Sequence, residues 1–149
     1  PDRVRNIRGA GLLHDLGKLG VPPEVLDKPG KLNQQEEKVM HQHSQLGGRI
    51  LEPIAAYAEV IPMVVQHHER FNGTGYPYGL TGQAISWGAR IFAVADAFDA
   101  MTSDRPYRKA LARERAVEII KEEAGSQFDP NMVKAFLNVM DQETREGGI

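Results

Sequence analysis

A chain of 149 residues is long enough to bury a core of its own, and a single domain is expected. Apolar residues make up 41% and charged residues 26%, with a net charge of -2, so no basic field is available to hold a long nucleic-acid backbone. Cysteine is absent, which excludes disulfides, iron–sulfur clusters and thiolate zinc sites. No apolar run reaches the length needed to cross a bilayer, so no direct membrane contact is expected.

The segments read mainly as helices. The first is expected over residues 4–18, with Val4, Ile7, Gly11 and Leu12 toward one side, ending near Gly20 and the Pro22-Pro23 pair. A short helical turn at 24–26 precedes the Pro29-Gly30 break. Asn33 followed by Glu36 is a capping-box pattern that launches a helix through Leu51, with Val39, Leu46, Ile50 and Leu51 as its apolar positions. A further helix covers roughly 57–69. The glycine-rich stretch 71–85 is a long loop, and long loops tend to be functional. An alanine-rich helix follows over 86–105, with Ile91, Val94, Ala95 and Phe98 on its buried face. Another spans 113–124. Asp129-Pro130 starts the last, which carries Met132, Val133, Phe136, Leu137 and Met140. No strand alternation is found, and the fold class is all-α.

Four of the five histidines fall in an order that reads as a metal site: His14-Asp15, His43, His67-His68, then Asp96. Imidazole and carboxylate together suit first-row divalent metals. His14 and Asp15 are neighbours that diverge around a helix, yet both can meet a metal pair at a helix end. His43 lies one turn before Gly47, which leaves room for a close neighbour. His41, two positions away, is expected to face solvent. Asp96 and Asp99 share a face of an otherwise apolar helix, and a carboxylate there needs a partner. Lys18 stands one turn after His14, where it would neutralise a phosphate. Arg105 and Arg108 offer bidentate donors to phosphate oxygens. Tyr76 and Pro77 give the loop an exposed aromatic and a rigid turn. A nucleophile-elbow pattern is lacking.

These residues resemble the HD-GYP family, a branch of the HD superfamily of metal-dependent phosphohydrolases. The resemblance rests on HDLGKLGVP, KPGKLNQQE, HSQLGGRIL, HHERFNGTGYP, ARIFAVADAFDAMTSDRPYR and GSQFDP, in order along nearly the whole chain. It implies a single-domain helical bundle of the HD type over 1–149 and hydrolysis of cyclic di-GMP to pGpG, with possible further cleavage to GMP. His14, Asp15, His43, His67, His68 and Asp96 match the family's metal ligands, for two iron or manganese ions, with zinc or nickel as alternatives. Lys18, Asp15 and Asp99 are the expected catalytic groups. Lys18, Arg105, Arg108 and the triplet Gly75, Tyr76, Pro77 are the expected substrate contacts. Asn72 stands where many members have aspartate.

The family has an earlier helix bearing a further histidine ligand, and no histidine precedes His14. The chain is therefore expected to be an amino-terminally truncated HD-GYP domain. The resemblance also implies an upstream regulatory domain, a cytoplasmic location within a parent protein open to membrane anchoring, and contacts through the GYP loop with diguanylate-cyclase-type domains. Asp15 is expected to bridge the ions, His14 and Asp96 to hold the first, and His43, His67 and His68 the second, with a metal-activated hydroxide attacking phosphorus. Two alternatives stand beside this reading. One is a catalytically impaired module that binds ligand or protein. The other is an HD phosphohydrolase for a different nucleotide, against which the GYP loop and DRPYR both weigh.

Overall fold

The computed structural model describes residues 2–104 and 109–146. Among these the regular elements are all helical, in the order α1 (Asp2–Leu13), α2 (Pro23–Leu26), α3 (Gln34–Leu51), α4 (Ile61–Gln66), α5 (Trp87–Thr102), α6 (Arg113–Glu122) and α7 (Pro130–Glu146). Short 3₁₀ segments lie at Leu16–Gly20, Ala55–Tyr57 and Gly82–Ala84. No helix among the described residues is long and apolar enough to cross a membrane.

Local sequence explains most boundaries. Asn33 caps α3 as expected: its side-chain oxygen accepts from the amides of Gln35 and Glu36, and the Glu36 carboxylate accepts from the Asn33 amide in return. Pro62 sits in the first turn of α4, where its missing N–H costs nothing. Asp129 accepts from the Asn131 amide at the start of α7.

The first helix departs from expectation. It stops at Leu13 rather than running to Lys18, and the chain tightens into the 3₁₀ segment Leu16–Gly20. His14 and Asp15 thus lie at a helix end. The buried side of α1 also differs. Ala10 is buried and Ile7 and Leu13 pack with it, whereas Val4 and Leu12 are 63% and 87% exposed. In α3, Ile50 points outward and Leu51 inward; in α5, Ala95 is exposed.

Two apolar clusters hold the helices. One joins Ala10, Leu51, Val60, Met63 and Val64 across α1, α3 and α4. The other joins Val94, Ile120, Phe128 and Val133 across α5, α6 and α7. Helix α5 links them, since it packs on α1 and α4 as well as on α6 and α7. A buried ion pair between Arg90 of α5 and Asp129 ties the second cluster to the start of α7. His14, Asp15, His43, His67, His68 and Asp96 lie on, or directly after, α1, α3, α4 and α5.

Candidate metal centre

Four elements bring the six side chains together. The end of α1 supplies His14 and Asp15. The middle of α3 supplies His43. The residues just after α4 supply His67 and His68, and α5 supplies Asp96. Close backbone approach makes this possible. A Cβ on Gly17 would stand 1.8 Å from the His43 carbonyl oxygen and 2.5 Å from the Gly47 nitrogen, so only glycine lets the 3₁₀ segment lie on α3. Gly47, read from sequence as room for a neighbour, receives that segment and Val64.

The site has two halves. In one, single nitrogens of His43, His67 and His68 all lie within 4.8 Å of one another. In the other, His14 Nε2 lies 3.5 Å from Asp15 Oδ2 and 4.0 Å from Asp96 Oδ1. Asp15 joins them, because its Oδ1 lies 3.6 Å from His43 Nε2. The rings of His14 and His67 meet edge-on with centroids 5.2 Å apart.

Backbone carbonyls orient three of the imidazoles. His14 Nδ1 lies 2.9 Å from Gly11 O, His43 Nδ1 2.7 Å from Met40 O, and His67 Nδ1 2.6 Å from Val64 O. A carbonyl oxygen only accepts, so each Nδ1 carries a proton, and in the neutral ring the lone pair is left on Nε2. His43 Nε2 and His67 Nε2 face one another at 3.4 Å. Two lone pairs so directed repel unless a cation lies between them. Two nitrogens about 2.1 Å from one ion, at roughly tetrahedral angles, stand about 3.4 Å apart. The donor set therefore fits a divalent cation.

The electrostatics agree. Burial lowers the pKa of His43, takes His67 down to about 4, and takes His68 down to about 3 with help from the neighbouring His67 and His43. These rings are neutral near pH 7, the state in which imidazole binds metal. Burial acts to raise the Asp15 carboxyl, but the Lys18 hydrogen bond and the charges of His14, Lys18 and His43 together outweigh it and hold it below its usual value. Lys18 Nζ donates to Asp15 Oδ2 at 2.6 Å.

Other expected positions fare differently. Asp99 is exposed and accepts a long hydrogen bond from the Ser103 hydroxyl, and no hydrogen bond or ion pair of the described residues joins it to the cluster. Arg105 and Arg108 lie outside the described residues. Tyr76 is not the exposed aromatic expected. It is half-buried, with His41 stacked on it at 3.6 Å and His68 at 4.7 Å between ring centroids. His41 consequently does not face solvent as expected. Burial, and then the charge of Asp15, raises the Tyr76 phenol well above its usual pKa.

The loop over 71–85 is a held structure rather than a loose connector. A Cβ on Gly75 would meet Arg70 N at 2.3 Å and His68 O at 2.5 Å, so the Gly75-Tyr76-Pro77 triplet lies against the backbone that carries His68. The amides of Phe71 and Asn72 donate to Gln127 and Ser126, and Arg70 pairs with Glu123. Glu69, which sequence reasoning missed, is buried, and its carboxylate accepts from the amides of Tyr78 at 2.7 Å and Leu80 at 2.9 Å. The one available signal was a charged residue directly after two expected ligands.

A family model described as "HD domain" matches residues 1–132. A cyclic di-GMP phosphodiesterase of Pseudomonas aeruginosa is 44% identical over 138 residues, which are 92% of this chain and 33% of that protein. The cyclic di-GMP phosphodiesterase response regulator RpfG of Xanthomonas campestris is also 44% identical over 138 residues, 91% of this chain and 36% of that protein. A 3'3'-cGAMP-specific phosphodiesterase of Vibrio cholerae is 40% identical over 140 residues, 92% of this chain and 30% of that protein. The chain thus spans about a third of the length of the curated relatives it matches. Among solved structures, an HDG"Y"P protein of Bdellovibrio bacteriovorus superposes with a TM-score of 0.70 at 19% identity, covering 95% of this chain and 45% of that one, and shares the fold.

Proposed function

This chain belongs to the HD-domain family, and we propose that it is the catalytic domain of a metal-dependent phosphodiesterase acting on a 3',5'-linked cyclic dinucleotide, cyclic di-GMP first. The observation that carries the reading is the facing pair of imidazole lone pairs, His43 Nε2 and His67 Nε2 at 3.4 Å, with Asp15 joining that half to His14 and Asp96. Relatives named for cyclic di-GMP and for 3'3'-cGAMP support the substrate class.

His14, Asp15 and Asp96 would hold one ion and His43, His67 and His68 the other, with Asp15 shared. Iron or manganese suits this donor set, and zinc or nickel remains chemically compatible. When bound, the metals supply Lewis-acid stabilisation of phosphate oxygens and lower the pKa of water. The chain supplies position and charge, which is most of what phosphoryl transfer asks of a protein. The ammonium of Lys18, beside Asp15, neutralises substrate phosphate. Arg105 and Arg108 follow α5 in sequence and would grip phosphate oxygens through paired N–H groups. Asp99 would act only from outside the ligand set. The GYP triplet closes one side of the site.

A partner that reads the GYP loop, such as a diguanylate-cyclase-type domain, would meet the exposed Thr74 and Tyr78, while the ring of Tyr76 is turned in toward the histidines. A cytoplasmic setting behind a regulatory domain completes the proposal.

The test is incubation of the chain, purified without oxygen, with ferrous iron or manganese and either cyclic di-GMP or 3'3'-cGAMP. Linear pGpG is the expected product from cyclic di-GMP, lost in Asp15→Ala and His68→Ala. Metal-loaded protein that leaves both dinucleotides intact would overturn the proposal.

A further inference from the structure

Three of the four clustered imidazoles are fixed by a backbone carbonyl on Nδ1; His68 is the exception. No side-chain hydrogen bond to His68 occurs among the described residues. Its ring plane is set by packing instead. One face meets Tyr76 in a stack, 4.7 Å between centroids and 25° between planes, and His67 lies 3.9 Å away at a tilt.

Tyr76 in turn needs a support. Its backbone is placed by the tight fit of Gly75 and by its own amide, which donates to His68 O at 3.2 Å. Those contacts fix where the residue begins, not where its ring points. The ring is held by His41, whose imidazole lies 3.6 Å from it and 9° from parallel. A second ring cannot share a face at that separation, so Tyr76 is sandwiched between His41 and His68. His41 is close to His43 in sequence but on another side of α3, which lets one helix contribute to the cluster directly and also brace it from outside.

We infer that His41 is a positioning residue: it clamps Tyr76, and through Tyr76 it sets the ring orientation of His68. This rests on the reading of His68 as a metal ligand only for its consequence, since the orientation itself belongs to the metal-free protein. Supports outside a ligand set commonly change metal affinity 10- to 100-fold when removed. Stacking is a property of a flat ring and not of imidazole protons, so phenylalanine at position 41 should substitute for histidine and alanine should not.

The experiment compares the unmodified chain with His41→Ala and His41→Phe. In the metal-free proteins, NMR follows the ring resonances of Tyr76 and His68, which ring currents from stacked neighbours displace. The expected result is that both sets move in His41→Ala and return toward their original positions in His41→Phe. Cobalt(II) titration, read by its visible absorption, should show affinity about tenfold weaker in His41→Ala and restored within about twofold in His41→Phe. Unmoved His68 resonances in His41→Ala would overturn the inference, as would His41→Phe behaving like alanine while its circular dichroism stays native. If the unmodified chain takes up no cobalt, the metal-centre reading fails on its own, and the metal-free NMR comparison still decides the role of His41.

Discussion

The backbone of Gly17 rests directly on the carbonyl of His43, so closely that a Cβ on Gly17 would stand 1.8 Å from that oxygen. This contact lays the His14-Asp15 corner against α3 and brings Asp15 within reach of His43. Gly17→Ala forces backbone away from backbone, with no flexible side chain to give way. A loss of at least about 1–3 kcal/mol is expected from overpacking, read as a lower urea midpoint. Weakened metal uptake should accompany it, because the two halves of the site separate. An unchanged midpoint would show that the 3₁₀ segment is placed by something else.

Glu69 staples the GYP loop through the amides of Tyr78 and Leu80. Glutamine at this position keeps the shape but offers only one acceptor oxygen, so one of the two amides loses its partner. A cost of about 1–3 kcal/mol is expected. Hydrogen exchange at the Tyr78 and Leu80 amides should accelerate selectively, with the α7 amides unaffected.

Arg90 and Asp129 form a buried pair whose carboxylate side chain is 1% exposed. Asp129→Asn leaves the guanidinium without its countercharge, and breaking such pairs costs about 3–5 kcal/mol. Replacing both members with apolar residues of similar volume should recover only part of that loss: neither desolvated charge remains, but the cap that Asp129 gives the Asn131 amide is lost, at about 0.5–2 kcal/mol. Urea unfolding of the single and double variants checks both expectations.

The pH dependence follows from the buried imidazoles. His67 and His68 protonate in the folded chain only near pH 4 and pH 3. In the unfolded chain they protonate at about 6.5. Below about pH 6.5 the unfolded state therefore binds more protons, so stability of the metal-free protein falls as pH drops toward 4 and then 3. The depressed Asp15 carboxyl acts in the same direction at lower pH, its contribution being lost as pH falls through its folded value. Above pH 7 these groups contribute no slope. Melting of metal-free protein across pH 8 to 4 should show a plateau and then a decline beginning near pH 6.5. A flat profile down to pH 4.5 would contradict the burial assigned to these rings.

Much of the site was legible in the sequence because its chemistry is local. HD, HH and the aspartate of AVADAFD are unusual residue choices in apolar helical contexts, and their order along the chain matches their convergence. Helix starts marked by Asn33 and Asp129-Pro130 were legible for the same reason, since caps act within one turn; the helix expected over 57–69 was not, because Pro62 sits in the first turn of a shorter α4 (Ile61–Gln66) instead of inside a longer helix. What escaped depends on neighbours distant in sequence. Which side of α1 is buried is decided by α4 and α5, not by α1, so Ile7, Ala10 and Leu13 turn in while Val4 and Leu12 turn out. The inward turn of His41 requires Tyr76, 35 residues later, and periodicity within α3 carries no trace of it. The break at His14 was hidden because Leu16, Lys18 and Leu19 are ordinary helix formers; the close fit of Gly17 on α3 overrides their preference.

X-ray absorption of iron- or manganese-loaded chain tests the central claim most directly, because imidazole gives a distinctive outer scattering pattern around a bound metal. The account expects retained metal with several imidazoles per pair of ions, reduced in the His43→Ala, His67→Ala and His68→Ala variants. Metal bound through oxygen alone, or no metal retained by the folded unmodified chain, would contradict it.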